Sequence, residues 1–126
     1  MLKIEKQRGS YVELVASGKL NQDDYERVIP LLEAQLEREG ELNALILLRE
    51  FEGWTLDAAI EDLRFDLRHR KDFARMAVVG EGRLQKWMTR LCAPFFSGEV
   101  RFYEREREVE ARSWVIGLVE TTTDAR

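Results

Sequence analysis

The stretch from His69 to Phe102, HRKDFARMAVVGEGRLQKWMTRLCAPFFSGEVRF, constrains the fold of this chain more than any other. A basic turn leads into the apolar run Phe73–Val79, which closes at Gly80 and Gly82. Leu84, Trp87, Met88 and Leu91 then recur at i, i+3, i+4 and i+7, the template of an amphipathic helix. Pro94 stops or bends that helix, and Val100–Tyr103 reads as a further strand. A strand, a helix and a strand in so short a span make one β-α-β unit. Such units imply right-handed crossovers and a mainly parallel sheet.

The remaining sequence extends the pattern in both directions. Leu2–Glu5 alternates apolar and charged residues, Gln7-Arg8-Gly9-Ser10 supplies a turn, and Tyr11–Leu20 alternates again, which predicts an antiparallel hairpin. Asn21 is suited to cap a helix, with Asp23 and Asp24 in its first turn, where the helix dipole favours acids. Tyr25, Val28, Ile29, Leu32 and Leu36 share one face of that helix, Pro30 either kinks it or marks its true start, and Gly40 ends it. Ala44–Leu48 is a continuous apolar run, as expected of a strand covered on both faces. Gly53 and Thr55 mark a turn and a cap. Leu56, Ala59, Ile60, Leu63 and Leu67 then form the predicted buried face of a helix reaching about Arg70. Ala111, Trp114, Val115 and Leu118 mark a final helix. The expected architecture is a single α/β domain over residues 1–120, with element order β-β-α-β-α-β-α-β-α. Its mixed, mainly parallel sheet has about five strands with the first as an antiparallel edge, and residues 121–126 form a polar tail.

A chain of 126 residues buries roughly two thirds of its unfolded surface, enough for a core without staples. No apolar run approaches the roughly 20 residues of a membrane span, and Met1–Glu5 lacks the apolar core of a signal peptide. Cys92 is alone and cannot form an internal disulfide, so the expected compartment is the cytoplasm and no integral membrane role is expected. The net charge of −4 is unevenly spread, with −7 over residues 1–63 and +5 over residues 64–103. An acidic whole argues against nucleic acid as a partner, while the basic middle can face an anion or can simply be solvated helix surface.

The residue types also narrow the chemistry. His69 is the one histidine, and no Gly-x-Ser-x-Gly elbow accompanies it. Cys92 lies one position past a predicted apolar helix face, where a buried structural thiol is expected rather than a nucleophile. No Cys-x-x-Cys or His-x-x-x-His pair points to a metal, and no cofactor is indicated. Gly80-Glu81-Gly82 begins like a dinucleotide-binding loop, but the third glycine position holds Gln85. A parallel sheet nevertheless gathers its loops at the C-terminal ends of its strands, here Arg49–Thr55, Gly80–Arg83 and Tyr103–Arg105, and that edge is the expected ligand surface. Trp87 and Trp114 fall on core faces, whereas Trp54 follows Gly53 in a predicted loop and is the aromatic expected to be partly exposed. Phe95 and Phe96 either cover the end of the core or form an apolar lip. His69, between Arg68 and Arg70, either caps a helix C-terminus or touches a ligand.

Trp54 before a helix, His69 at that helix's end, the run Phe73–Gly80, Trp87, Pro94-Phe95-Phe96 and Glu99-Val100-Arg101-Phe102 together resemble the SpoIIAA-like family of small bacterial proteins, over about Leu2 to Trp114. The resemblance implies a fold related to STAS and CRAL-TRIO lipid-transfer domains, a βα superhelix whose strands lie mostly adjacent in chain order. STAS anti-sigma-factor antagonists carry a phosphorylatable serine in an Asp-Ser-Ser-Gly-type turn after the strand that Ala44–Leu48 matches. Here that region is Phe51-Glu52-Gly53-Trp54-Thr55-Leu56, with Thr55 its one hydroxyl and already suited to a capping role. CRAL-TRIO domains hold an apolar ligand in a cavity.

The leading expectation is a non-enzymatic binding or regulatory module. It would recognise a protein partner or an anionic small molecule at the C-terminal edge of the sheet through Trp54 and Thr55, with His69, Arg75, Phe95 and Phe96 as further contacts. The alternative is a carrier of a lipid or other apolar ligand, with a cavity between the helices that start at Leu56 and Leu84. A third reading, acid–base catalysis by His69 and a carboxylate, is the weakest. An edge strand such as Leu2–Glu5 would allow a homodimer.

Overall fold

The computed structural model describes residues 1–69, 72–81 and 99–117. Strands β1 (Leu2–Arg8), β2 (Tyr11–Leu20), β3 (Leu42–Trp54), β4 (Phe73–Gly80) and β5 (Glu99–Glu104) form one sheet in chain order, β1-β2-β3-β4-β5. The first pair is antiparallel, and the other three pairs are parallel. Helices α1 (Gln22–Glu39), α2 (Leu56–His69) and α3 (Glu108–Ile116) complete the described architecture, with a 3₁₀ turn at Arg105–Arg107 before α3. The predicted helix around Leu84–Leu91, Cys92, Pro94, Phe95, Phe96, Leu118 and the polar tail lie outside the described residues.

Strand order follows chain order because each right-handed crossover steps the same way along the sheet. Crossover helices built like this fall on one face. Accordingly α1 and α2 pack on the face formed by Val12, Leu14, Ala16, Ala44, Leu48, Met76 and Val78. The opposite face, with Leu45, Leu47, Ala77, Val79 and Tyr103, is covered by Ala111, Trp114 and Val115 of α3. The alternation along β3 and β4 is the period of two that assigns successive side chains to opposite faces. Because both faces are covered, Ala44–Leu48 reads as one unbroken apolar run.

Local chemistry sets the element ends. Gly9, at φ +58°, supplies the positive angle of the two-residue turn between β1 and β2. Asn21 caps α1 through a reciprocal pair, its Oδ1 accepting from Asp24 N (3.0 Å) while Asp24 Oδ2 accepts from Asn21 N (2.9 Å). The helix continues through exposed Pro30 and ends at Gly40 in the left-handed conformation, φ +83°. Buried Gln35 ties α1 to the hairpin, donating to the carbonyls of Gly9 and Tyr11, both at 2.8 Å. Strand β1 carries exposed Lys3, Glu5, Lys6 and Arg8 and a bulge at Glu5, features that discourage another sheet from pairing on this edge and so work against the expected dimer strand.

One buried charge fixes α3 to the sheet. Glu13 points toward α3 and is only 6% exposed. Its Oε1 accepts from Arg112 Nε (2.9 Å) and from the Tyr11 hydroxyl (2.6 Å), and Arg112 also donates to Glu108 (3.2 Å). Burial by itself would raise the Glu13 carboxyl, but the hydrogen bonds from Arg112 and Tyr11 outweigh it and hold it below its ordinary value. Burial and the adjoining carboxylate push the Tyr11 phenol well above its usual range.

Candidate functional site

The candidate residues are divided by the fold rather than gathered by it. Trp54 is not in a loop, as predicted, but is the last residue of β3, paired with Leu20 at the end of β2. The strand reaches that far by two successive bulges: Arg49, Phe51 and Gly53 oppose Ser17, Gly18 and Lys19, leaving Glu50 and Glu52 as extra residues. Glu50 takes a left-handed φ of +50°, which costs an ordinary residue about 1 kcal/mol or more. The two bulges bring Trp54 level with the end of β2, where its side chain meets Tyr25 of α1.

There Trp54 is half-buried and fixed on two sides. Its Nε1 donates to the Tyr25 hydroxyl at 2.6 Å, and its ring meets Phe51 edge-on with centroids 4.9 Å apart. Thr55 follows as the cap of α2. Its Oγ1 accepts from Ala58 N (3.2 Å), its own N–H donates to Leu20 O (2.8 Å), and Ala59 N–H donates to its carbonyl (3.0 Å). The capping role expected of Thr55 is therefore filled.

Arg75 lies elsewhere. Its guanidinium donates to Trp114 O (3.1 Å) and rests 5.7 Å from the Trp114 ring centroid, with Arg101 on the same ring at 4.4 Å. Arg75 thus belongs to the packing of α3, on the sheet face opposite α2. His69 is the last residue of α2; the contacts expected of its imidazole, and those of Phe95 and Phe96, lie outside what is described.

The described side chains at the C-terminal strand ends are mainly acidic: Asp23, Glu50, Glu52, Asp57, Glu81, Glu104 and Glu106 are all exposed. Arg49 pairs with Glu108 (3.3 Å) and Arg105 with Glu81 (3.4 Å). The described part of this edge is therefore acidic; Gly82 and Arg83, which the expected anion surface included, lie outside the described residues. Among the described residues no group of three or more His, Cys, Asp or Glu could hold a metal ion, and no helix is long and apolar enough to cross a membrane.

The feature that sequence reasoning placed only approximately is an apolar cavity of about 100 Å³ between the sheet and helices α1 and α2. Leu14, Ala16, Ala44, Ile46 and Val78 form its sheet wall, Tyr25, Val28 and Leu32 its α1 wall, and Phe65 comes from α2. Trp54 and Phe51 close one end, and both are half-buried, so they belong to the cavity and to the surface. The cavity was expected between the helices starting at Leu56 and Leu84. Among the described residues it draws on α1 as well as α2, while the helix expected from Leu84 lies outside them. Of the residues expected on the inner face of α2, Leu56 (77% exposed), Ala59 and Ile60 (44%) point outward. Ala58 and Phe65 supply the buried side in their place.

With that geometry in view, comparison with known proteins gives consistent results. The family model described as SpoIIAA-like matches residues 11–116. A solved structure of an uncharacterized protein from the DUF3478 family, with a SpoIIAA-like fold, from Shewanella loihica PV-4, is 40% identical in sequence. The match covers 91% of this chain and 92% of that one, with a TM-score of 0.72. No curated protein matches at a significant level.

Proposed function

The chain belongs to the SpoIIAA-like family, and on that footing we propose that it is a non-enzymatic binding module whose ligand is an apolar molecule, or the apolar end of one, held in the cavity between the sheet and α1 and α2. The observation that carries this reading is the cavity itself. Folded interiors are close-packed, and voids larger than a water molecule are few. A space of about 100 Å³ costs the lining its packing contacts, on the order of 2 kcal/mol at 24 cal/mol per Å³. Its described walls are apolar apart from one polar pair, so water gains little there and an apolar guest gains much. Trp54 and Thr55 enter the reading as the end wall of the site and the cap behind it; Arg75 does not.

Xenon pressurisation of crystals tests the site directly, since xenon enters dry apolar cavities. Density is expected between Leu14, Ala44 and Phe65. Native mass spectrometry of protein purified without detergent is expected to show an apolar adduct. An empty cavity under xenon together with an adduct-free mass would defeat the reading.

The double bulge near the end of β3 favours a second reading, a protein partner at the C-terminal strand edge. Bulges recur where a strand is bent to present side chains, and Glu50 and Glu52 are presented here at the cost of a left-handed backbone. The partner surface would be basic. Charge reversal of both residues to Lys is expected to abolish capture of that partner in a pull-down and leave xenon binding intact.

A further inference from the structure

Resting on the reading of the cavity as the ligand site, we infer that its ligand is electrically neutral and bears one hydrogen-bonding group, which engages the Tyr25 hydroxyl and the Trp54 indole N–H. Among the described residues lining the cavity, only these two side chains carry nitrogen or oxygen, and they are bonded to each other at 2.6 Å. A hydroxyl or carbonyl oxygen on the ligand can accept from Trp54 Nε1, and a hydroxyl can also donate to Tyr25 Oη, replacing one hydrogen bond by two. A purely hydrocarbon ligand leaves the existing pair intact and gains nothing there.

A charged head group fares worse. No described cation lines the cavity. Arg27, two residues on from Tyr25 in α1, is already paired with Asp24 at 2.9 Å. The chain around the pair is acidic, with Asp24 before Tyr25, Glu52 before Trp54 and Asp57 after it. Among the described lining residues a carboxylate loses its hydration and meets neutral groups alone, against a penalty of several kcal/mol for a buried unpaired ion. An ammonium gains from the acidic surroundings but loses its donor bonds, because the indole N–H cannot accept. The size of the space, roughly three to four water-sized groups at about 30 Å³ each, admits a short chain or the end of a longer one.

The experiment is a matched titration with 1-pentanol, pentanoate, pentylammonium and pentane, read by NMR on the Trp54 indole N–H resonance at pH 7.5. Pentanol is expected to bind tightest, with pentanoate weaker by about thirty-fold or more. Lowering the pH toward 5.5 is expected to raise the apparent pentanoate affinity by about tenfold per unit, in step with its neutral fraction. In Trp54→Phe, followed by cavity-methyl resonances, the preference for pentanol over pentane is expected to shrink by about fivefold, the worth of one neutral hydrogen bond. Pentanoate or pentylammonium binding as tightly as pentanol would overturn the inference while leaving an apolar site standing. An unchanged pentanol-to-pentane ratio in Trp54→Phe would overturn the role of the pair. Silence from all four ligands would overturn both the inference and the reading beneath it.

Discussion

At the scale of single residues, Trp54 and Thr55 can be separated although they are neighbours. Trp54→Phe keeps the ring against Phe51 and removes the donor to Tyr25, so about 1 kcal/mol of stability is expected to be lost in urea unfolding. Thr55→Ala removes the cap on Ala58 N, also at about 1 kcal/mol, whereas Thr55→Ser is expected to be nearly silent because its hydroxyl serves equally well. A Thr55→Ser loss as large as that of Thr55→Ala would show that the methyl group, not the cap, matters. The capping role of Thr55 was legible because a hydroxyl followed by an apolar-periodic segment has a local cause. The partner of Trp54 was not. Tyr25 lies far back in the chain, and only the fold brings its hydroxyl within 2.6 Å.

At the scale of elements, periodicity reports spacing but leaves phase open. Helix α2 carries two apolar stripes, Leu56 with Ile60 and Ala58 with Phe65, on opposite sides. Burial chose the second because it faces the sheet and its cavity. The apolar run that marks β3 in the sequence ends at Leu48, where Arg49 and Glu50 are polar, although the strand itself continues to Trp54. The bulges that place Glu50 and Glu52 outside the pairing are invisible in composition. Glu50→Gly is expected to raise stability by about 0.5 kcal/mol, as relief of the left-handed strain exceeds the added chain entropy. The seat of α3 makes a pH prediction. The folded-state pKa of Glu13 lies below its ordinary value of 4.5, so the unfolded chain binds the proton more readily. Its contribution is therefore present above pH 4.5 and is lost as the pH falls through the lower, folded value. Asp24 adds to the same acid limb: burial opposes its ionisation, but the Asn21 backbone N–H, the N-terminus and Arg27 more than compensate. Glu13→Gln is expected to cost about 1 kcal/mol at pH 7, since Arg112 trades a charged acceptor for a neutral one while keeping Glu108, and to flatten the decline below pH 4.5 in acid titrations followed by circular dichroism. A variant curve parallel to the wild type through that range would assign the acid limb to other carboxylates.

At the scale of the whole molecule, the same-direction crossovers that order the strands also explain where the free space lies. Helices on one face must cover a sheet that twists beneath them, and between α1 and α2 that cover leaves about 100 Å³ open, whereas α3 closes the opposite face with Trp114 only 2% exposed. If the space were an accident of packing, filling it would be pure gain. Ala44 is fully buried at the cavity wall, and Ala44→Leu adds three carbons directed into it. At about 0.8 kcal/mol per buried methylene the gain cannot much exceed 2 kcal/mol, and imperfect fit reduces it to about 1. For a molecule of this size such a gain raises the melting temperature by roughly 4 °C, within reach of calorimetry. The same variant is expected to exclude xenon and to abolish the pentanol response at the Trp54 indole. Stability would then rise as binding falls, the trade expected where a void is kept for a ligand. A variant that is stabilised yet binds pentanol as before would place the ligand elsewhere on the protein.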